Sequence, residues 1–87
     1  MNSKKVKFVV YGKGCAKCEK LEDNVRKAIE MMDLEKDSYS LKKIKDPAEI
    51  TESGVFMTPA LSINGEMVFH GRVGTKKSIV EHVKKII

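Results

Sequence analysis

Apolar and polar positions change their spacing several times along this chain. Lys5-Val6-Lys7-Phe8-Val9-Val10-Tyr11 starts in alternation and becomes continuously apolar, which predicts a strand that ends buried on both faces. Gly12-Lys13-Gly14 breaks it. From Cys15 the period is helical: Leu21, Val25, Ala28, Ile29 and Met32 share one face, and charged residues fill the other. Asp33–Asp37 is a polar connector, and Ser38–Ile44 is a weaker strand with Tyr39 and Leu41 in alternation. Asp46-Pro47-Ala48-Glu49 starts a short helix, since Asp46 can cap it, Pro47 suits the first helical position and Glu49 can reach back. Gly54 suits the position just past its end. Ala60–Ile63 and Met67–His70 flank Asn64-Gly65, a strong hairpin signal. Ile79, Val80, Val83, Ile86 and Ile87 return to the helical period, with Lys84 and Lys85 placed to suit the negative end of a last helix.

The string β-α-β-α-β-β-α predicts an α/β fold with a four-stranded mixed sheet flanked by helices. The first two strands are joined through a helix, so they are expected parallel with a right-handed crossover. The last two form an antiparallel hairpin. One domain spanning residues 1–87 is expected, without internal repeat or linker.

Composition narrows the class. Of the 87 residues 41% are hydrophobic and 33% charged, with 6 Gly and 2 Pro, which excludes disordered and low-complexity chains. No apolar run approaches the roughly 20 residues of a membrane span. The apolar stretch Phe8–Tyr11 is too short for the core of a secretory leader, about 7–15 residues. The cytoplasm is the expected compartment. The net charge of +5 is uneven: residues 1–20 carry six lysines against Glu19 alone. Aromatic residues are only 6% and are not interleaved with the basic ones, so a nucleic-acid partner is not expected. The basic start is otherwise read as a solvated strand face and loop.

Cys15 and Cys18 are the two cysteines, in Gly14-Cys15-Ala16-Lys17-Cys18, where the first strand turns into the first helix. Stabilising disulfide frameworks use more bridges at wider spacing, and a bridge across so short a gap removes almost no chain entropy. Chemistry or metal binding remains. A thiolate is the nucleophile, and helix N-termini and nearby lysines favour it. Cys15 meets both conditions, with Lys13 and Lys17 beside it and Lys20 within a turn. Cys18 follows one turn later, more buried and within bonding reach. The pair is therefore asymmetric: Cys15 attacks a disulfide, and Cys18 attacks Cys15 to release the reduced substrate. A CxxC at a strand-to-helix turn is a stronger signal than the motif alone.

The chain resembles the thioredoxin/glutaredoxin superfamily, and within it the small thioredoxin-like redox-active disulfide proteins of bacteria and archaea. The likeness rests on Cys15-Ala16-Lys17-Cys18, Thr58-Pro59-Ala60-Leu61, Ile63-Asn64-Gly65-Glu66 and Gly71-Arg72-Val73. It implies a minimal thioredoxin fold, a cis Thr58–Pro59 peptide facing the CxxC, and a Thr58 backbone that pairs with an extended substrate chain. Gly14, Lys17, Thr58 and Pro59 are thus the expected substrate-contacting residues beside catalytic Cys15 and Cys18. The resemblance also implies disulfide-containing protein substrates, a thioredoxin-reductase-like electron donor, a monomer, and no cofactor beyond the dithiol. Two departures stand out. Val9 occupies the position where full-size thioredoxins bury a carboxylate, so proton transfer at Cys18 must use water or another group. Gly71-Arg72-Val73-Gly74-Thr75 lacks the acidic pattern of glutathione sites, which argues against glutathione as a dedicated partner.

Other readings compete. Two soft thiolates suit Cu(I), and small copper-carrier modules use a similar loop. Those modules usually carry Met where this chain has Lys13, and they end in a strand rather than a helix. A zinc site would need His70 and His82, whose spacing is wide for that purpose. A non-catalytic binding module is the third. Met31, Met32, Met57 and Met67 read as core or edge fillers. Tyr11 reads as a packed strand residue, His70 and His82 as surface or boundary residues, and Gly71 as a turn or a point of close backbone approach.

Overall fold

The computed structural model describes residues 6–12, 16–55 and 57–86, and the side chains of residues 36 and 86 lie outside the description. The elements are β1 (Val6–Tyr11), α1 (Ala16–Met31), β2 (Tyr39–Ile44), α2 (Pro47–Glu52), β3 (Ala60–Ile63), β4 (Glu66–His70) and α3 (Lys76–Ile86), with a 3₁₀ turn at Lys36–Ser38. The sheet has four strands in the order β2-β1-β3-β4. β1 pairs parallel with β2 from Val6↔Tyr39 to Tyr11↔Ile44, and antiparallel with β3 from Phe8↔Ile63 to Tyr11↔Ala60. β4 closes the other edge, antiparallel to β3.

β1 takes an inner position because it is apolar on both sides. Val6, Phe8 and Val10 point into a core completed by Leu21, Val25, Ala28 and Ile29 of α1, Leu61 and Ile63 of β3, Phe69 of β4, and Ile79, Val80 and Val83 of α3. Tyr11 points to the opposite face, into a smaller cluster with Ile50 of α2, Val55 and Ala60, against which Val9 and Ile44 pack. Helices α1 and α3 therefore cover one face of the sheet and α2 covers the other.

Local chemistry fixes the turns. The Asp46 carboxylate accepts the Ala48 N–H at 3.0 Å and caps α2, which begins at Pro47. Past its end Gly54 adopts φ +84, its N–H donates to Thr51 O, and the Val55 N–H donates back to Ile50 O. That is a Schellman closure, with Val55 and Ile50 packed together as its apolar contact. Asn64 and Gly65 take φ 54 and 85, the paired positive values of a type I′ hairpin turn. Asn64 also extends the β1–β3 ladder: its N–H donates to Lys7 O, and its Oδ1 accepts the Lys7 N–H at 2.7 Å.

The differences from the sequence reading are local. Ser38 belongs to the 3₁₀ turn, where its hydroxyl donates to Glu35 O, so β2 starts one residue later than the alternation predicts. β4 starts one residue earlier, at Glu66. Of the four methionines expected to fill core or edge, Met32 packs on the main core, while Met31, Met57 and Met67 are 55%, 60% and 36% exposed.

Core and surface positions of α1 should respond differently to truncation. Leu21→Ala removes a fully buried side chain and is expected to lower unfolding stability by about 2–5 kcal/mol. Met31→Ala, on the exposed side, should change it by less than about 0.5 kcal/mol. Urea denaturation of the two variants checks this contrast.

Candidate active site

The C-terminal end of β1 and the first turn of α1 meet at Cys18. The Gly12 N–H donates to Ile44 O at 3.0 Å, so the β1–β2 pairing runs one residue past the strand and brings the end of β2 alongside. Cys18 is the third residue of α1 and is only 5% exposed. A Cβ at Gly12 would overlap Cys18 Sγ and lie 2.6 Å from its Cβ. Only a residue without a side chain lets the strand end pass this close to the sulfur. Gly12 thus does more than break the strand.

Cys18 opens onto a cleft of about 240 Å³ lined also by Val10, Gly12, Glu19, Glu22, Lys43 and Lys45. Glu22 follows Cys18 by four residues and so lies one turn along the same side of α1. Its carboxylate accepts from the Arg26 guanidinium at 2.9 Å and sits 3.4 Å from the Lys43 ammonium on β2. The Arg26 hydrogen bond holds the Glu22 carboxyl below its ordinary value of 4.5; partial burial opposes this, and Lys43 adds to it. Glu22, Lys43 and Lys45 went unnoticed in sequence because they read as ordinary solvated charges. The signal available was the i+4 spacing of Glu22 from Cys18. The lysines reach the cleft only through the parallel register of β2.

Among the other expected site residues, Lys17 is exposed on α1, Thr58 is half-buried and Pro59 fully buried. Gly14 and Cys15 lie outside the described residues. The Thr58–Pro59 peptide is cis. This turn is stitched to the end of β4: the Gly71 N–H donates to Pro59 O at 2.9 Å, and the Met57 N–H donates to His70 Nε2 at 3.3 Å. Gly71 has φ +80, and a Cβ there would come within 2.9 Å of Met57 Cβ, so it serves both as turn and as point of close approach. Val9, half-buried, packs on the α2 side of the sheet, and His82 sets its ring edge-on to Phe69 at 5.7 Å. Among the described residues no group of three or more His, Cys, Asp or Glu could hold a metal ion, and no helix is long and apolar enough to cross a membrane.

Two measurements probe this arrangement. Gly12→Ala forces a methyl group into the Cys18 side chain and should destabilise the fold by about 1–3 kcal/mol in urea denaturation. Glu22 should make stability acid-sensitive. Because its folded pKa is lowered, its contribution is complete above 4.5 and fades as pH falls below that value. Glu22→Gln should lose stability near neutrality yet show a shallower decline on acidification, measured by urea midpoints between about pH 7 and pH 3.

Comparison with known proteins agrees with this architecture. The sequence model of the thioredoxin domain family matches residues 5–84. A thioredoxin of Methanothermobacter thermautotrophicus is 37% identical over 82 residues, covering 94% of this chain and 97% of the relative. A thioredoxin of Methanocaldococcus jannaschii is 32% identical over 78 residues, covering 90% and 86%. The crystal structure of chloroplastic thioredoxin z superposes with a TM-score of 0.72 at 16% identity, over 94% of this chain and 78% of that one, and so shares the fold. This chain belongs to the thioredoxin domain family of thiol–disulfide oxidoreductases.

Proposed function

We propose that residues 1–87 act as one thioredoxin-like domain that reduces protein disulfides through Cys15 and Cys18. The observation that carries the reading is the seat of Cys18: buried in the first turn of α1, against the bare α-carbon of Gly12, beside a charge-lined cleft. Cys15 immediately precedes Ala16, the first helical residue of α1, and a helix N-terminus favours a thiolate. Lys17 adds to the field that favours a thiolate there.

The exchange runs in two displacements. The Cys15 thiolate attacks one sulfur of the substrate disulfide, forming a mixed disulfide and expelling a substrate thiolate, which takes a proton from solvent. The Cys18 thiol then loses its proton to water in the cleft, and its sulfur attacks Cys15 Sγ. The Cys15–Cys18 disulfide forms, and the second substrate thiolate leaves and is protonated. The substrate has gained two electrons and two protons; the protein has lost two electrons and the Cys18 proton, and solvent supplies the second proton. A thioredoxin-reductase-like donor restores the dithiol, so no further cofactor enters. Gly14 and Thr58 offer backbone groups to the extended substrate, and Pro59 shapes their surroundings. The protein works as a monomer in the cytoplasm, where thiols are kept reduced. The soft-metal carrier reading draws no support from the thioredoxin match.

Reduction of insulin disulfides by the wild type, Cys15→Ser and Cys18→Ser tests the reading. Cys15→Ser should fall to background, and Cys18→Ser should accumulate mixed disulfides resolvable by non-reducing mass spectrometry. Full activity in Cys15→Ser would overturn it.

A further inference from the structure

Beside α1, on the side of the Pro59 turn, lies a second groove of about 500 Å³ lined by Lys17, Lys20 and Asn24 of α1 and by Gly71, Arg72, Val73 and Thr75. We propose that this groove docks an acidic segment of the substrate protein, next to the disulfide to be reduced. The inference rests on the oxidoreductase reading above and specifies its substrate class.

Charge is the first support. Among the described residues the lining holds three cations and no carboxylate. Elsewhere on α1 the cations are neutralised: Arg26 pairs with Glu22 and Lys27 with Asp23. Among the described residues Lys17, Lys20 and Arg72 form no ion pair. Lys17, Lys20 and Asn24 fall at i, i+3 and i+7, so they form one stripe along α1. The first turn of α3, which follows groove-lining Thr75, carries Lys76 and Lys77 and no acidic residue. Cations at that end of a helix oppose its dipole, so they add positive field here without helping the helix.

Pre-organisation is the second support. Asn24 Nδ2 donates to Gly74 O at 2.9 Å and fixes the distance between the walls. The Arg72 guanidinium rests 5.6 Å from the Phe69 ring centroid, which restrains its long side chain. The Gly71 N–H to Pro59 O bond joins the groove to the turn where the substrate main chain is read. Lys17 adjoins Cys18 in sequence, so one wall of the groove starts in the same first turn of α1. A polypeptide lying along the Thr58–Pro59 turn would carry residues near its disulfide into these cations. Such contacts speed encounter more than they change the chemical step, and salt weakens them.

Pre-reduced full-length protein is mixed with three peptides of one sequence, each closed by an intramolecular disulfide and flanked by Asp/Glu, Ser/Gln or Lys. Oxidised glutathione is a fourth substrate. Second-order rate constants are read by single-turnover thiol release at low and high NaCl. The acidic peptide should react about tenfold faster than the neutral one at low salt, with the gap closing at high salt. Lys20→Gln/Arg72→Gln should remove most of that preference, lowering the acidic-peptide rate far more than the neutral-peptide rate. Lys84→Gln/Lys85→Gln, which alters net charge equally at the far end of α3, should keep it. Equal rates on acidic and neutral peptides, or equal loss in both double variants, overturn the docking site alone. Glutathione disulfide reacting as fast as the acidic peptide also overturns it, since the groove then reads small anions. Failure to reduce any substrate defeats the oxidoreductase reading, and the docking site with it.

Discussion

The contact between the Cys18 side chain and the α-carbon of Gly12 sets the geometry on which the rest of the site depends. A strand ending in a residue with a Cβ would have to stand off from α1, and the sulfur would lose its burial. Gly12 also continues the ladder to Ile44, and the parallel pairing of β1 with β2 brings the end of β2 to the cleft. Lys43 and Lys45 are thereby delivered beside a helix they do not neighbour in sequence. The missing side chain thus decides the seat of the sulfur, and the register of β2 decides the charges that face it.

Charge is sorted across α1 as clearly as hydrophobicity is. One side carries Glu19 and Glu22 toward the cleft, with Arg26 and Lys43 balancing Glu22. The other carries Lys17 and Lys20 toward Arg72 without a balancing acid among the described residues. Cys18 lies between these two environments. In the proposed exchange a proton leaving its thiol would enter a mixed-charge cleft, while a substrate approaching from the Pro59 side would meet a single sign of charge. The two faces of one helix can therefore serve different steps of the same exchange.

Most of the fold was legible because the relevant signals are local. The i, i+4, i+7 spacing of Leu21, Val25 and Ala28 marks the buried side of α1, and Asn64-Gly65 marks the hairpin. Asp46 and Gly54 mark the two ends of α2. What escaped the sequence depends on the register between distant segments. Glu22 and Lys43 are ordinary charged residues until the parallel pairing of β1 with β2 sets them 3.4 Å apart. Met57 is apolar and looks like core, yet the turn that hydrogen-bonds to His70 leaves it largely exposed. The role of Gly12 was hidden for the same reason, since a glycine after a strand equally suits a simple break.

The edges of the sheet bear on solubility. β2 borders β1 on one side only, and its pattern leaves Ser40, Lys42 and Lys43 outward and exposed. Another molecule adding a strand along that open margin would meet exposed lysines on both faces of the strand, Lys42 and the Glu22-paired Lys43, an arrangement that discourages accretion. That margin of the sheet is thereby guarded against accretion even though the inner strands are almost wholly apolar.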